Sequence, residues 1–226
     1  MIQVNRVSKI YPENKTVALN NLTLHIERGD FVFLVGPSGA GKSTLIKLIF
    51  RENDPTEGSL YFLNRNIARM RAGELLKHRR QIGMVFQDFR LLKQKTVYEN
   101  VAFALEVIGK SPKRIREKVP EALDKVNLLS KANAFPSQLS GGEQQRVGIA
   151  RAIVKDPLLI MADEPTGNLD RDNSVQIMKL FENINTAGTT VIIATHAWEL
   201  VNLMQKRVVT LEEGKLVRDQ EWGRYK

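Results

Sequence analysis

Apolar residues along the chain fall into short continuous runs, the mark of strands buried on both faces, and into runs at helical spacing. Phe31–Val35, Leu158–Ala162 and Val191–Ala194 are of the first kind. Ile2–Val7 alternates loosely and reads as a strand broken at Tyr11-Pro12-Glu13-Asn14, and Val17–Ile26 offers a second before the Arg28-Gly29-Asp30 turn. Asp54-Pro55-Thr56-Glu57-Gly58 marks another turn, followed by a strand Ser59–Leu63; Ile82–Phe86 is a further strand ending at Gln87. From about Asp88 to Asp156 the pattern turns helical. Thr96 and Glu99 form a capping box for a helix Val97–Val107. Ser111-Pro112 starts the next, whose apolar side (Ile115, Val119, Ala122, Leu123, Val126) has core spacing, and Pro120 is expected to kink or interrupt it. A third helix begins near Ser140-Gly141-Gly142.

Strand and helix then alternate again. Leu158–Asp163 is a strand, Asp170 caps a helix through Ile184, and Thr189–Ala194 is a buried strand. Arg207–Glu212 and Lys215–Arg218 form a hairpin around Glu213-Gly214. This order predicts an α/β fold with a mostly parallel sheet, an antiparallel β start and a helical insertion. We expect a single domain, with residues 1–87 and 157–226 as its core and 88–156 as its helical part.

The turn after Phe31–Val35 changes the picture. Gly36-Pro37-Ser38-Gly39-Ala40-Gly41-Lys42-Ser43-Thr44 is a G-x-x-x-x-G-K-[ST] phosphate loop between a strand and an apolar helix. Glycines let the loop curl so that successive N–H groups face an anion, and the helix N-terminus adds partial positive charge there. Lys42 supplies a mobile cation for the β- and γ-phosphates, and the Ser43 hydroxyl is a Mg²⁺ ligand. A nucleoside triphosphate is the implied ligand. A second element fits it: Leu158–Ala162 ends in Asp163-Glu164. A carboxylate at that strand end can hold Mg²⁺, which assigns Asp163, and Glu164 can deprotonate the attacking water. The bland alternative is an acidic pair that merely closes a strand.

Composition narrows little further. The chain has 226 residues, 42% of them hydrophobic, and no cysteine, which excludes disulfides and thiol nucleophiles. No signal sequence is read at Met1, and the apolar runs fall far short of the ~18 residues of a membrane span, so a soluble chain is expected. The net charge of +9 admits nucleic acid or an anionic membrane as partner, or simply a lysine-rich solvated surface. No repeat or low-complexity segment is present.

Leu139-Ser140-Gly141-Gly142-Glu143-Gln144 is the remaining motif: two glycines at a helix start form a second anion site. With it, the chain resembles the ATP-binding cassette (ABC) ATPases over essentially its full length, implying their RecA-like core. In that family this signature meets the γ-phosphate held by another subunit. The resemblance therefore implies a head-to-tail homodimer with two ATP molecules between its protomers, bound by Ser140, Gly141, Gly142 and Glu143 of one and the phosphate loop of the other. It also implies that Tyr11 stacks on adenine, that Gln87 senses Mg²⁺ and couples to a membrane partner, that Asn168-Leu169-Asp170 touch the opposite protomer, and that His196 contacts the γ-phosphate. Ala197 departs from the Asp or Asn that many relatives carry.

The stretch around Gln87, above all Phe86-Gln87-Asp88-Phe89-Arg90-Leu91-Leu92, resembles the branch of the family that serves bacterial cell division. That implies a peripheral subunit under a membrane protein at the cytoplasmic face, acting on peptidoglycan hydrolases through its partner. The alternative is a lipoprotein-release or macrolide-export ATPase, which shares the ATP chemistry. No specific nucleic acid is expected. Phe86–Lys95 is the candidate docking segment, with Phe89, Leu91 and Leu92 receiving an apolar helix or else packing internally. Arg65, Arg69, Arg71, Lys77, Arg79 and Arg80 make a second basic region, read as a solvated face with a membrane-proximal one as the alternative.

Overall fold

The computed structural model describes residues 1–13 and 15–222; the turn residue Asn14 lies outside them. Two sheets share the chain. Strands β1 (Ile2–Tyr11), β2 (Thr16–Ile26), β4 (Glu57–Phe62) and β5 (Arg65–Asn66) form an antiparallel sheet in the order β2-β1-β4-β5. The second sheet uses β3 (Phe31–Val35), β6 (Ile82–Phe86), β7 (Leu159–Asp163), β8 (Thr190–Ala194), β9 (Arg207–Glu212) and β10 (Lys215–Gln220). Its order is β10-β9-β3-β8-β7-β6, parallel throughout except for the β9–β10 hairpin.

The helices are α1 (Lys42–Ile49), α2 (Ala72–Arg80), α3 (Val97–Glu106), α4 (Pro112–Lys125), α5 (Gly141–Ile153), α6 (Arg171–Thr186) and α7 (Trp198–Met204). The pleat of β3 explains how the layers meet. Phe31, Phe33 and Val35 point into a core shared with α3 to α6, while Val32 and Leu34 point into one shared with α1 and the antiparallel sheet. A strand buried on both faces needs five apolar residues in a row, and each large one contributes about 1.5–3 kcal/mol by leaving water.

Three segments differ from the sequence expectation. Pro120 does not interrupt α4, which runs through it from Pro112 to Lys125. The proline removes one N–H, the partner of the carbonyl of Arg116, an exposed residue, while Val119, Ala122 and Leu123 stay buried. Helix α2 was unforeseen within the basic stretch, and there Arg79 turns inward, donating to the Phe50 and Arg51 carbonyls at 3.3 and 2.7 Å. Helix α7 is also additional.

The capping boxes on α3 and α5 form as their residues require. Just inside α3, the fully buried Asn100 accepts from the Leu92 N–H at 2.8 Å and donates to the carbonyls of Leu92, Lys95 and Thr96. It pins the segment leading from Gln87 to the helical part. Asn100→Leu takes this partner from the Leu92 N–H and the Lys95 carbonyl and is expected to cost about 1–3 kcal/mol, read as a lowered urea midpoint. An unchanged midpoint would remove Asn100 as the anchor.

Candidate functional site

Parallel strands put all their C-terminal ends on one edge, where open α/β sheets bind ligands. Ladder register brings Phe86 beside Asp163, Asp163 beside Ala194, and Ala194 beside Leu34. The residues just beyond these ends, namely Gln87, Glu164, Thr195-His196 and the loop from Gly36, therefore share one edge although the sequence scatters them.

The loop is held open from behind. Gly41 precedes α1 with φ of 103°, and a Cβ there would lie 2.4 Å from the Ala18 carbonyl oxygen. Gly36 has φ of 144° and would meet the Leu211 carbonyl oxygen at 2.1 Å. Both glycines let the loop press against β2 and β9. Lys42 is buried, its Nζ donating to the carbonyls of Gly36 and Pro37 at 2.7 and 3.0 Å. A cavity of about 550 Å³ opens here, lined by Ser38, Gly39, Ala40, Gly41, Lys42, Ser43 and Thr44 with Glu164 and His196.

At its edge the Ser43 hydroxyl donates to Asp163 Oδ1 at 3.1 Å. Burial pushes the Asp163 carboxyl above its ordinary range, opposed by the Ser43 hydrogen bond. A hydroxyl beside a desolvated carboxylate is an all-oxygen donor pair, which fits Mg²⁺. Among the described residues no three His, Cys, Asp or Glu side chains gather as a metal cage. An ion held here would thus depend on phosphate and water oxygens for most of its shell.

Glu164 adopts φ of 48° as the chain leaves β7, which turns its carboxylate toward β8. Oε1 lies 2.8 Å from His196 Nδ1, and Oε2 accepts from Thr195 Oγ1 at 3.2 Å and from the His196 N–H at 3.4 Å. Thr195 was not singled out in the sequence. Its hydroxyl is fully buried yet bonded on both sides, also accepting from the Ala197 N–H at 3.1 Å; a threonine between a buried strand and a site histidine was the available signal. Ala197, lacking a side-chain cap, starts α7 with its backbone alone.

Gln87 is not among the residues lining the cavity. Its Nε2 donates to Asn168 Oδ1 at 3.4 Å, and Asn168 Nδ2 donates to the Gln87 carbonyl at 3.1 Å. Tyr11 is also outside that lining, its hydroxyl accepting from Asn53 Nδ2 at 3.2 Å.

Ser140 caps α5, accepting from the Glu143 N–H, while Glu143 accepts from the Ser140 N–H. An ion pair with Lys131 and that N–H hold the Glu143 carboxyl below its ordinary value. Gly142 is closed in by Asn173, whose Oδ1 would be 2.6 Å from a Cβ there, and Gly141 by Leu169 and the Asn168 carbonyl. No residue of Ser140–Gln144 lines the phosphate-loop cavity. Gln145, unremarked in the sequence, is fully buried and donates to the Pro165 carbonyl at 2.7 Å, tying the signature helix to the segment after Glu164. The glycine-rich start of α5 and the phosphate loop are thus separate features of one chain.

A phosphate loop, an acidic strand end and a remote glycine-rich helix start on this sheet define an ATP-binding cassette. The chain belongs to the ABC transporter family, whose pattern matches residues 19–167. It is accordingly an ATPase that binds and hydrolyses ATP. It is 55% identical to the cell division ATP-binding protein FtsE of Bacillus subtilis, over 100% of the chain and 98% of that relative. The FtsE of Mycobacterium tuberculosis is 52% identical with the same coverage. Among solved structures, the dimeric ATP-binding cassette MJ0796 bound to ADP and phosphate superposes with a TM-score of 0.87 at 37% identity, each chain covered in full. Among the described residues no helix is long and apolar enough to cross a membrane.

Proposed function

We propose that the chain is the ATP-hydrolysing subunit of an FtsEX-type complex, peripheral at the cytoplasmic face of the bacterial membrane. It would drive the membrane protein FtsX and, through it, regulate peptidoglycan hydrolysis in cell division. The observation that carries this reading is the full-length identity above one half with proteins named for that process.

In the proposed mechanism, loop N–H groups from Gly36 to Thr44 cradle the phosphates, Tyr11 takes adenine, and Lys42 leaves the Gly36 and Pro37 carbonyls for the β- and γ-oxygens. Ser43 and Asp163 would hold Mg²⁺, with Gln87 as a further ligand once released from Asn168, and the ion would supply positive charge against that developing on the phosphates. Glu164 takes the proton of the attacking water, and His196, already against it at 2.8 Å, fixes its position and reaches the γ-phosphate. Because Ser140–Glu143 stand apart from this cavity, a second copy completes each site, and the helical part, 88–156, moves the signature between copies. Phe86–Lys95 presents the result to the partner. Leu91 packs into the helical core, Leu92 is exposed, and Arg151 donates to the Phe89 and Arg90 carbonyls to hold the segment's shape.

Mixing two inactive variants tests the shared site. Lys42→Ala and Ser140→Arg are each expected to be inactive alone. Mixed, about a quarter of full activity should return, since half the dimers are mixed and each holds one intact composite site. No recovery at any protein concentration would place the signature's role elsewhere. For the partner, affinity purification of Glu164→Gln from membranes should recover an FtsX-type protein. Recovery of an export permease instead would overturn the division reading.

A further inference from the structure

The basic stretch is more than a solvated face. Between Leu63 and Arg80 six Arg or Lys residues stand against one acidic residue, Glu74, a net +5 out of the chain's +9. Arg65, Arg69, Arg71, Lys77 and Arg80 are exposed, and among the described residues none of them forms an ion pair. Apolar side chains stand among these charges: Leu76 is 56% exposed and Leu63 37%. Helical spacing places Gly73, Leu76, Lys77 and Arg80 on one side of α2, while the buried His78, packed edge-on to Phe62 with ring centroids 4.9 Å apart, anchors the helix to the antiparallel sheet. Beside them a cavity of about 420 Å³ is lined by Leu63, Arg65, Met70, Glu74, Lys77 and His78 among others.

We propose that this face binds an anionic phospholipid surface directly, the exposed Arg and Lys side chains meeting headgroup phosphates and Leu63 and Leu76 entering the headgroup layer. Charge alone would serve nucleic acid as well, because each cation displaces a counterion on either polyanion. The exposed leucines decide between them: a phosphodiester backbone offers them nothing, whereas the lipid interface removes them from water. The contact is with lipid itself and stands whichever membrane protein the ATPase serves.

The test is sedimentation of the purified full chain with vesicles of phosphatidylcholine, alone or with about 30% phosphatidylglycerol, at about 50 and 300 mM salt. Binding is expected to the anionic vesicles only, weakening with salt. Arg69→Glu/Lys77→Glu/Arg80→Glu should lower it at least a hundredfold, each charge near the surface accounting for about fivefold. Leu76→Ser should lower it severalfold at both salt concentrations. A control reversal on α4, Lys113→Glu/Arg116→Glu, should have a much smaller effect. Unchanged ATPase rates report that the variants fold, and the neutral Arg69→Gln/Lys77→Gln/Arg80→Gln set serves if the reversal does not. Equal binding to both vesicles, or equal loss in the control, overturns the proposal. So does binding to heparin or DNA that outcompetes vesicles and ignores Leu76→Ser.

Discussion

Glu164→Gln is expected to bind ATP normally and hydrolyse it about 10²–10⁴ times more slowly, the usual contribution of a positioned general base. The amide keeps the size of the carboxylate and one acceptor oxygen, so the Thr195 hydroxyl and the His196 N–H, which now donate to Oε2, retain a partner. What disappears is the capacity to accept a proton from water. None of the phosphate-loop contacts involves this side chain, so affinity has no reason to fall. With hydrolysis blocked, the ATP-bound dimer should accumulate, visible as a shift in sizing with ATP and Mg²⁺. Turnover within a few fold of the unmutated chain would remove Glu164 as the base. Glu164→Ala should be equally slow but would also free His196 and Thr195, and so is the poorer test of chemistry alone.

Lys42→Ala is expected to weaken ATP binding about ten- to a hundredfold, before any chemistry is reached. Its ammonium sits buried, donating to two carbonyls of its own loop. When a triphosphate enters, those bonds, already assisted by the ammonium's charge, exchange for bonds to anionic phosphate oxygens, which add ion pairing to the hydrogen bond. Alanine forfeits that exchange and leaves the cradle without its central charge, a loss of about 1.5–3 kcal/mol in binding. Calorimetric titration with a slowly hydrolysed ATP analogue reads it directly. A Kd within threefold of the unmutated chain would show that the loop's N–H groups suffice without the lysine. If both variants kept full turnover, the whole assignment of this edge would fall.

The parts of the fold that were legible are those whose cause is local. Phe31–Val35 and Ile82–Phe86 are continuous apolar runs between turns and appear as strands with the same bounds. Thr96, Ser111, Ser140 and Asp170 cap helices because a side-chain oxygen three residues before an N–H needs nothing distant. Helix α2 escaped because its apolar residues are few and its anchor is tertiary, the His78 ring against Phe62 and its Nε2 to the Ile49 carbonyl at 2.7 Å. The interruption expected at Pro120 is absent, one lost N–H on the turn of the exposed Arg116 weighing less than the burial of Val119, Ala122 and Leu123. At the strand edge, the loop after β3 and the acidic pair closing β7 were legible because each is a contiguous motif attached to an apolar strand. The roles of Thr195, Asn100 and Gln145 were not, because each is a single polar group whose partners lie on other elements or in loops.

The loop's bracing has a consequence for how the protein is made. Gly36 lies against Leu211, Gly41 against Ala18, and the hairpin turn at Gly214 donates its N–H to the Ala40 carbonyl at 3.2 Å while its own carbonyl accepts from Asn20 at 2.9 Å. The motif is contiguous in sequence, but its shape is imposed by residues near both ends of the fold. A ribosome-bound chain whose residues beyond 210 are still unsynthesised carries every letter of the phosphate loop without the walls that shape it. Nucleotide capture should therefore arrive late in synthesis, after the last hairpin closes.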